Sequence, residues 1–518
     1  MSQKSRNIGR NILWGYINKG LLLIIPFVAR TILLRIMGTE YLGVNSLFFS
    51  ILSILNLAEL GIDSAVVFNM YKPLAEGDKS TVQALMNFYR KTYKIIGFFV
   101  LLIGLGIIPF LHLFVSEGSY PTDINIMTVY LIFLSNTVLT YFVFSYKKAI
   151  LTANQRNDVL SNVSSIIILT QNVVQILIFY LFRNYYLYIL FLPVFTLISN
   201  LLNAYFANRI FPQYHPKGKI EKDQLAQIKK QVSGLFINKL AHQTMSSFDT
   251  IIISVFIGLT IVTVYTNYYF IIVTVHGIGL VFISSIKAVV GNFIVTESKD
   301  ENYNKFTIIT FIYAVFTIWA TSMTIALIQP FMKIWAGEDL LLPISTASIL
   351  VVFNLLLLLG DVRSLYSEVN GLWWKTKFPY IVQSLLNVIL SVLLGKIFGL
   401  SGILFATCLS TFIVGQVWLP YILFENYFGI SKYKNYMLKN MLYIFVGVII
   451  SCISYFISVV IPHNGIISLA LISVVISLVT VLLLFLLYSK TEVYKKSKNL
   501  VKLFVSQIYN EKHNTKKV

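Results

Sequence analysis

The chain has 518 residues, of which 57% are hydrophobic and 12% charged, and its formal net charge is +20. About half the charged fraction of an ordinary soluble domain excludes a soluble fold, while roughly 295 apolar residues suffice for a dozen or more membrane spans. About fourteen spans leave no room for a soluble catalytic domain, and the basic residues lie between apolar runs, where they read as topology signals rather than a nucleic-acid footprint.

Taken in chain order, Lys4, Arg6 and Arg10 precede an apolar stretch at 12–34 that carries Lys19 and Arg30 and is followed by no small-residue cleavage site, so an uncleaved first helix is expected. Further spans are expected at 42–70, 93–115, 124–150, 159–182, 186–209, 234–258, 263–294, 305–329, 341–366, 376–398, 400–424, 437–461 and 465–488. The fold class is therefore an all-α polytopic membrane protein of about fourteen helices. Only Gly38 to Tyr41 and Gly399 to Gly402 separate the first and second spans and the eleventh and twelfth. Basic residues such as Lys72, Lys79, Arg90, Lys147, Arg156, Lys217, Lys299 and Lys375 fall in alternate loops, and the positive-inside rule then places both termini in the cytoplasm. The tail after Tyr488 interleaves Lys490, Lys495, Lys496, Lys498 and Lys502 with Leu500, Leu503 and Phe504. It reads either as a basic amphipathic helix on the anionic inner leaflet or as a solvated tail enforcing topology.

A gapless shift of 220 residues superimposes Ile17-Asn18-Lys19 on Ile237-Asn238-Lys239, Gly38 on Gly258 and Lys79 on Lys299. This predicts two parallel six-helix repeats, 1–215 and 216–430, followed by two appended helices at 431–488 and a basic tail at 489–518.

Charges at membrane depth are costly and so face a partner or a wet cavity. Lys19 and Arg30 share one helix face, about 16 Å apart along the axis. Lys239 opens a polar face with His242, Gln243, Ser246 and Thr250, with Asp249 beside it. Lys19 and Lys239 become repeat mates, and two facing ammonium groups predict an anion between them, of phosphate or diphosphate class, with Arg30 as a third contact. The plainer alternatives are that Lys19 and Arg30 snorkel to the interfaces or that Lys239 pairs with Asp249 or Glu59. The second span carries Asn45, Ser53, Asn56, Glu59 and Asp63. Its two acids read either as a proton or cation site or as neutralising partners of the basic residues. Asp361, Ser364 and Glu368 share one face near the cytoplasmic end of the tenth span, with Arg363 beside them; they read either as gating ion pairs or, the preferred reading, as interfacial charges. Gln171 and Gln175 with Ser164, and Asn387 with Gln383 and Ser391, offer hydrogen bonds to a hydroxyl-rich substrate or between helices. There is no phosphate-binding GxxxxGK[ST] loop, the two cysteines offer no disulfide framework or metal motif, and the six histidines lack metal spacing. No cofactor and no enzymatic activity are expected, and coupling to protons or sodium stays open.

The stretch Leu42 to Leu85, LGVNSLFFSILSILNLAELGIDSAVVFNMYKPLAEGDKSTVQAL, and LTANQRNDVLSNV at Leu151 to Val163 resemble the polysaccharide-biosynthesis (Wzx-like) flippases of the multidrug/oligosaccharidyl-lipid/polysaccharide exporter superfamily. The resemblance implies two six-helix lobes around a cationic cavity that opens alternately to either side of the cytoplasmic membrane. It also implies a polyprenyl-diphosphate-linked oligosaccharide as substrate, surrounding membrane lipids, and polysaccharide-assembly glycosyltransferases or a polymerase as partners. The alternative within the superfamily is an ion-coupled multidrug exporter of cations, which Glu59 and Asp63 favour and Lys19 and Lys239 oppose.

Overall fold

The computed structural model describes residues 25–56, 62–115, 120–154, 156–221, 225–226, 228, 247–462 and 465–499; Lys19, Glu59, Lys239 and Gln243 lie outside them. Among the described residues the regular structure is entirely helical. The helices are α1 (25–37), α2 (Thr39–Leu55), α3 (Ile62–Glu76), α4 (Lys79–Ile107), α5 (Ile126–Phe142), α6 (Lys148–Ala153), α7 (Asn157–Phe182) and α8 (Tyr185–Ile210). They continue as α9 (Ser247–Phe256), α10 (Leu259–Thr296), α11 (Lys299–Trp335), α12 (Ile344–Val369), α13 (Trp373–Ser410), α14 (Tyr433–Val460), α15 (Ile466–Tyr488) and α16 (492–499). Nine helices among the described residues are long and apolar enough to cross a membrane, and a tenth candidate is bent by 48° between Ile126–Phe142 and Ser145–Ala153. The first, second and seventh expected spans are described only in part.

The expected division at Gly399 is real: the helical stretch from Trp373 to Phe428 is interrupted there by a non-helical residue. Straight, those 56 residues would reach about 84 Å, far beyond a hydrocarbon core of about 30 Å. Gly399 adopts φ 58° and ψ −137°, a conformation that only glycine takes readily, and folds the chain back. Gly402 then lies so close to the preceding limb that a Cβ there would meet the Leu394 carbonyl oxygen at 2.1 Å. Across the seam Asn387 Nδ2 donates to Thr407 Oγ1 (2.7 Å) and Gln383 Nε2 to Thr411 Oγ1 (3.4 Å), an antiparallel register.

Helix α4 starts fourteen residues before the expected 93. Asp78 caps it by accepting from the Thr81 amide (3.0 Å), and Val82, Leu85, Met86, Tyr89 and Tyr93 give its first turns a buried face despite the intervening lysines and arginine. The apolar run alone underestimates the helix for that reason. Residues 217 and 218 strap across this extension, with the Lys217 amide donating to the Gln83 carbonyl and Asn87 Nδ2 to the Gly218 carbonyl. Deeper in, Gly97 and Gly104 let α5 approach: a Cβ on either would clash with Tyr141 (2.7 Å) or Leu134 (2.3 Å). The expected fourth span stops at Phe142, because Phe144 turns left-handed (φ 52°).

Two of the repeat's anchors recur as punctuation. Gly38 (φ 96°) ends α1 and Gly258 (φ 118°) precedes α10. Asp78 caps α4, and its counterpart Ser298 caps α11 in a reciprocal box with Glu301. The two helix starts α2 and α10 also meet through exchanged positions. Gly43 packs on Leu259, where a Cβ would lie 2.5 Å from the carbonyl oxygen, and the Thr263 hydroxyl donates to the Thr39 carbonyl. The 220-residue shift turns the first pair into the second.

The chain forms two compact units, one within 14–263 and the other dominated by 264–518. The changeover falls later than the expected 215/216 boundary because α9 is built into the first unit: Ser247 and Ser53 hydroxyls lie 2.7 Å apart and Ser254 donates to the Phe114 carbonyl. The first unit's core comprises Val66, Leu85, Tyr89 and Ile150 on one side and Leu47, Phe48, Tyr130 and Phe133 on the other. In the second, Phe306, Tyr366, Phe424, Phe428 and Tyr436 form an aromatic cluster, with Phe306 4.9 Å from Tyr366 in an edge-on arrangement. Helix α16, capped by Thr491, folds back so that Val493 and Tyr494 pack with Phe311, Tyr443, Leu484 and Tyr488. Its apolar face is therefore committed to protein, which revises the reading of the described part of the tail as a leaflet-bound or free segment.

Candidate functional site

In the first unit the polar stripe of the second expected span is taken up by neighbouring helices. Tyr185 donates to Asn45 (3.2 Å), Ser53 meets Ser247, Tyr141 donates to Asn56 Oδ1 (3.1 Å), and the Tyr89 hydroxyl donates to Asp63 (3.1 Å). Each short polar side chain thus finds a partner inside the apolar medium. Asp249 is buried on α9, at 2% exposure.

A cationic patch of a different composition lies at α1, α7 and α8. Arg30 is half-buried and within electrostatic reach of the Tyr188 phenol. The backbone carbonyl of Tyr188 accepts from Gln175 Nε2 (2.9 Å), and Gln171 Nε2 reaches Gln175 Oε1 at 3.4 Å. Tyr185 stacks toward Tyr188 with ring centroids 6.5 Å apart. Tyr188 thus faces Arg30 electrostatically through its phenol, while its backbone is tied to Gln175 and, through Gln175, to Gln171. A guanidinium near a phenol can hold an anion by charge and a hydroxyl group by hydrogen bonds. Tyr188 carried no sequence signal, as one of 31 tyrosines.

Asn387 does not join this neighbourhood. It is fully buried (0% exposed) in the α13 seam.

The second unit holds an ion cluster that the sequence pointed to only in pieces. His276 Nε2 on α10 sits 3.2 Å from both carboxylate oxygens of Asp361 on α12, and the Tyr313 hydroxyl on α11 donates to Asp361 Oδ2 (2.8 Å). The His276 and Asp361 side chains are 17% and 12% exposed. Asp361 precedes the end of α12 by eight residues, about 12 Å. Arg363 is likewise internal, 5% exposed, with Nη2 donating to Ser364 (3.1 Å). Glu368 pairs with Lys287 (2.7 Å) at a half-exposed site. Pairing the only histidine of the tenth helix with the only acid of mid-α12 was available as a signal, because intramembrane ionisable groups seek each other. Among the described residues no His, Cys, Asp or Glu cluster could hold a metal ion.

No family profile and no curated protein matches the chain. Solved structures do. A lipid II flippase MurJ in an inward closed conformation aligns with TM-score 0.65 and 17% identity over 92% of this chain and 99% of its own. An inward-facing multidrug resistance MATE family transporter of the MOP superfamily aligns with TM-score 0.63 and 16% identity over 80% of this chain and 96% of its own. A MOP superfamily transporter from Pyrococcus furiosus, reported with a binding pocket of reversed polarity, aligns with TM-score 0.53 and 17% identity over 81% and 94%. On these TM-scores and coverages the chain carries the fold of the MOP-superfamily transporters.

Proposed function

We propose that the chain is a flippase that moves a polyprenyl-diphosphate-linked oligosaccharide across the cytoplasmic membrane by alternating access, for surface polysaccharide assembly, with both termini cytoplasmic. The observation that carries this reading is a basic side chain, Arg30, within electrostatic reach of the Tyr188 phenol of α8, a helix whose Tyr188 carbonyl accepts from Gln175. A diphosphate matches the charge and a glycan matches the amides and phenols. The coverage of the structural neighbours supports the same reading. The flippase aligns with 92% of the chain and the multidrug transporter with 80%.

In this scheme Lys19 and Lys239 supply further positive charge to the head group, and lipid-linked glycan arrives from glycosyltransferases on the cytoplasmic side. Coupling to protons, to sodium or to neither fits this scheme, and His276 lies 3.2 Å from Asp361 inside the second unit. The second reading, export of cationic compounds, is favoured by that acid and by Asp63. It is weaker because Asp63 is held by Tyr89 and Asp361 by His276 and Tyr313.

The test is depletion of the protein in its host, with parallel assay of surface polysaccharide, cytoplasm-facing lipid-linked glycan and sensitivity to cationic dyes. Loss of surface polymer with accumulation of the lipid-linked unit is expected, and Arg30→Gln should reproduce it at normal expression. Unchanged polysaccharide with raised dye sensitivity would overturn the proposal in favour of cation export.

A further inference from the structure

A groove of about 680 Å³ runs between α11, α15 and the amphipathic α16. Phe311 and Trp319, eight residues apart on α11, mark about 12 Å of its length. Leu484 and Tyr494 add apolar wall. The deep end is closed where Trp319 Nε1 donates to Ser477 Oγ (3.1 Å). The other end carries Ser497 and Lys498 of α16.

Two features of that end do not fit a surface crevice that lipid tails merely wet. Ser497 is 5% exposed and its hydroxyl has no hydrogen-bond partner among the described residues, so a buried donor and acceptor borders an apolar slot. Ser497 lines the groove beside Lys498. The charge beside it is one-sided: Lys490, Lys495 and Lys498 are exposed, and Glu492, the one acid of α16, is engaged by Lys496 at 3.8 Å.

We infer that this groove is a binding site for an anionic diacyl phospholipid, with an acyl chain along Phe311 to Trp319, the phosphate accepting from Ser497, and Lys498 neutralising the head group. Apolar length, a hydroxyl donor and an ammonium follow one another in the order of a lipid's tail, phosphodiester and surface charge. The lipid would also tie α16 to α11 and α15, so that the basic tail docks only on a membrane of suitable charge. The site belongs to one compact unit and is independent of which substrate crosses the protein.

Trp319 makes the site measurable. Full-length protein in phosphatidylcholine nanodiscs is titrated with phosphatidylglycerol brominated on its acyl chains, and in a parallel series with brominated phosphatidylcholine. The quenching that Trp319→Phe removes is the groove's signal. Half-maximal quenching is expected at about fivefold lower mole fraction for the anionic lipid, the weight of one lysine at a membrane surface. Lys498→Gln should abolish that preference while leaving quenching by phosphatidylcholine in place, and Val315→Phe, which narrows the slot from α11, should weaken quenching by both. Equal quenching by the two lipids in the wild-type protein would overturn the inference. So would a Trp319 signal that appears only after removal of 500–518, because the chain's own tail would then be the occupant. Protection of Trp319 by a polyprenyl phosphate but not by the anionic phospholipid would overturn it as well.

Discussion

Asn387 offers a sharp test of whether a polar side chain in an apolar helix serves the substrate or the fold. Its Nδ2 donates to Thr407 Oγ1 at 2.7 Å in a fully buried seam, while its Oδ1 has no partner among the described residues. This imbalance gives the two single substitutions different costs. Thr407→Val removes the acceptor and strands a buried amide, which costs about 1–2 kcal/mol. Asn387→Leu loses the same hydrogen bond but also removes the unsatisfied oxygen, and its net cost stays within about 1 kcal/mol. The double variant should match Asn387→Leu, because Thr407 then has no amide to satisfy. The resulting coupling equals the cost of Thr407→Val, about 1–2 kcal/mol, at the top of the range for interhelical hydrogen bonds in membranes. The assay is reversible denaturant unfolding of the four proteins in mixed micelles, followed by transport per folded molecule. Additive single effects would refute the seam argument. So would a transport loss in Asn387→Leu with unaltered stability, which would return Asn387 to the substrate path.

Gly402→Ala should destabilise the protein by about 1–3 kcal/mol, because its Cβ would sit 2.1 Å from the Leu394 carbonyl oxygen and no flexible side chain can yield there; a melting curve that matches the parent would show that the two limbs do not approach so closely. At Asp78, the Thr81 hydroxyl and amide hold the carboxyl below its ordinary range. A depressed folded pKa means that the cap contributes above the unfolded value of about 3.9 and is lost as pH falls through the lower folded value. Hydrogen exchange of the Thr81 amide, corrected for its intrinsic rate, should lose protection over that acidic window in the parent and show no such step in Asp78→Asn.

Helix number, span order and the glycine breaks were legible because the hydrocarbon core imposes long apolar runs and because Gly38, Gly258 and Gly399 adopt conformations that other residues resist. The start of α4 was not, since its first turns are amphipathic rather than apolar and depend on an Asp cap and a strap from 217–218. At the candidate site, Arg30 and Gln171 stood out as charge or amide in apolar sequence. Tyr188 did not, because a tyrosine is ordinary in a membrane helix and only the packing of α1 on α8 gives it a role. The pairing of His276 with Asp361 joins residues 85 apart, and no spacing rule within one helix reaches across that distance. Asn387 shows the converse: a conspicuous polar residue whose partner, twenty residues on, lies on the returning limb of its own hairpin.

The placement of α9 in the first unit bears on how the chain is made. A ribosome that has finished α8 has not supplied what the first unit needs, because Ser53 waits for Ser247 and Gly43 for Leu259. At about 5–20 residues per second, the additional stretch to residue 263 takes a few seconds or more, during which one side of α2 has only lipid or the insertion machinery for company. Cutting the gene between the repeats would make that interval permanent, and the fragment ending there would be a substrate for quality-control proteolysis rather than an independent half.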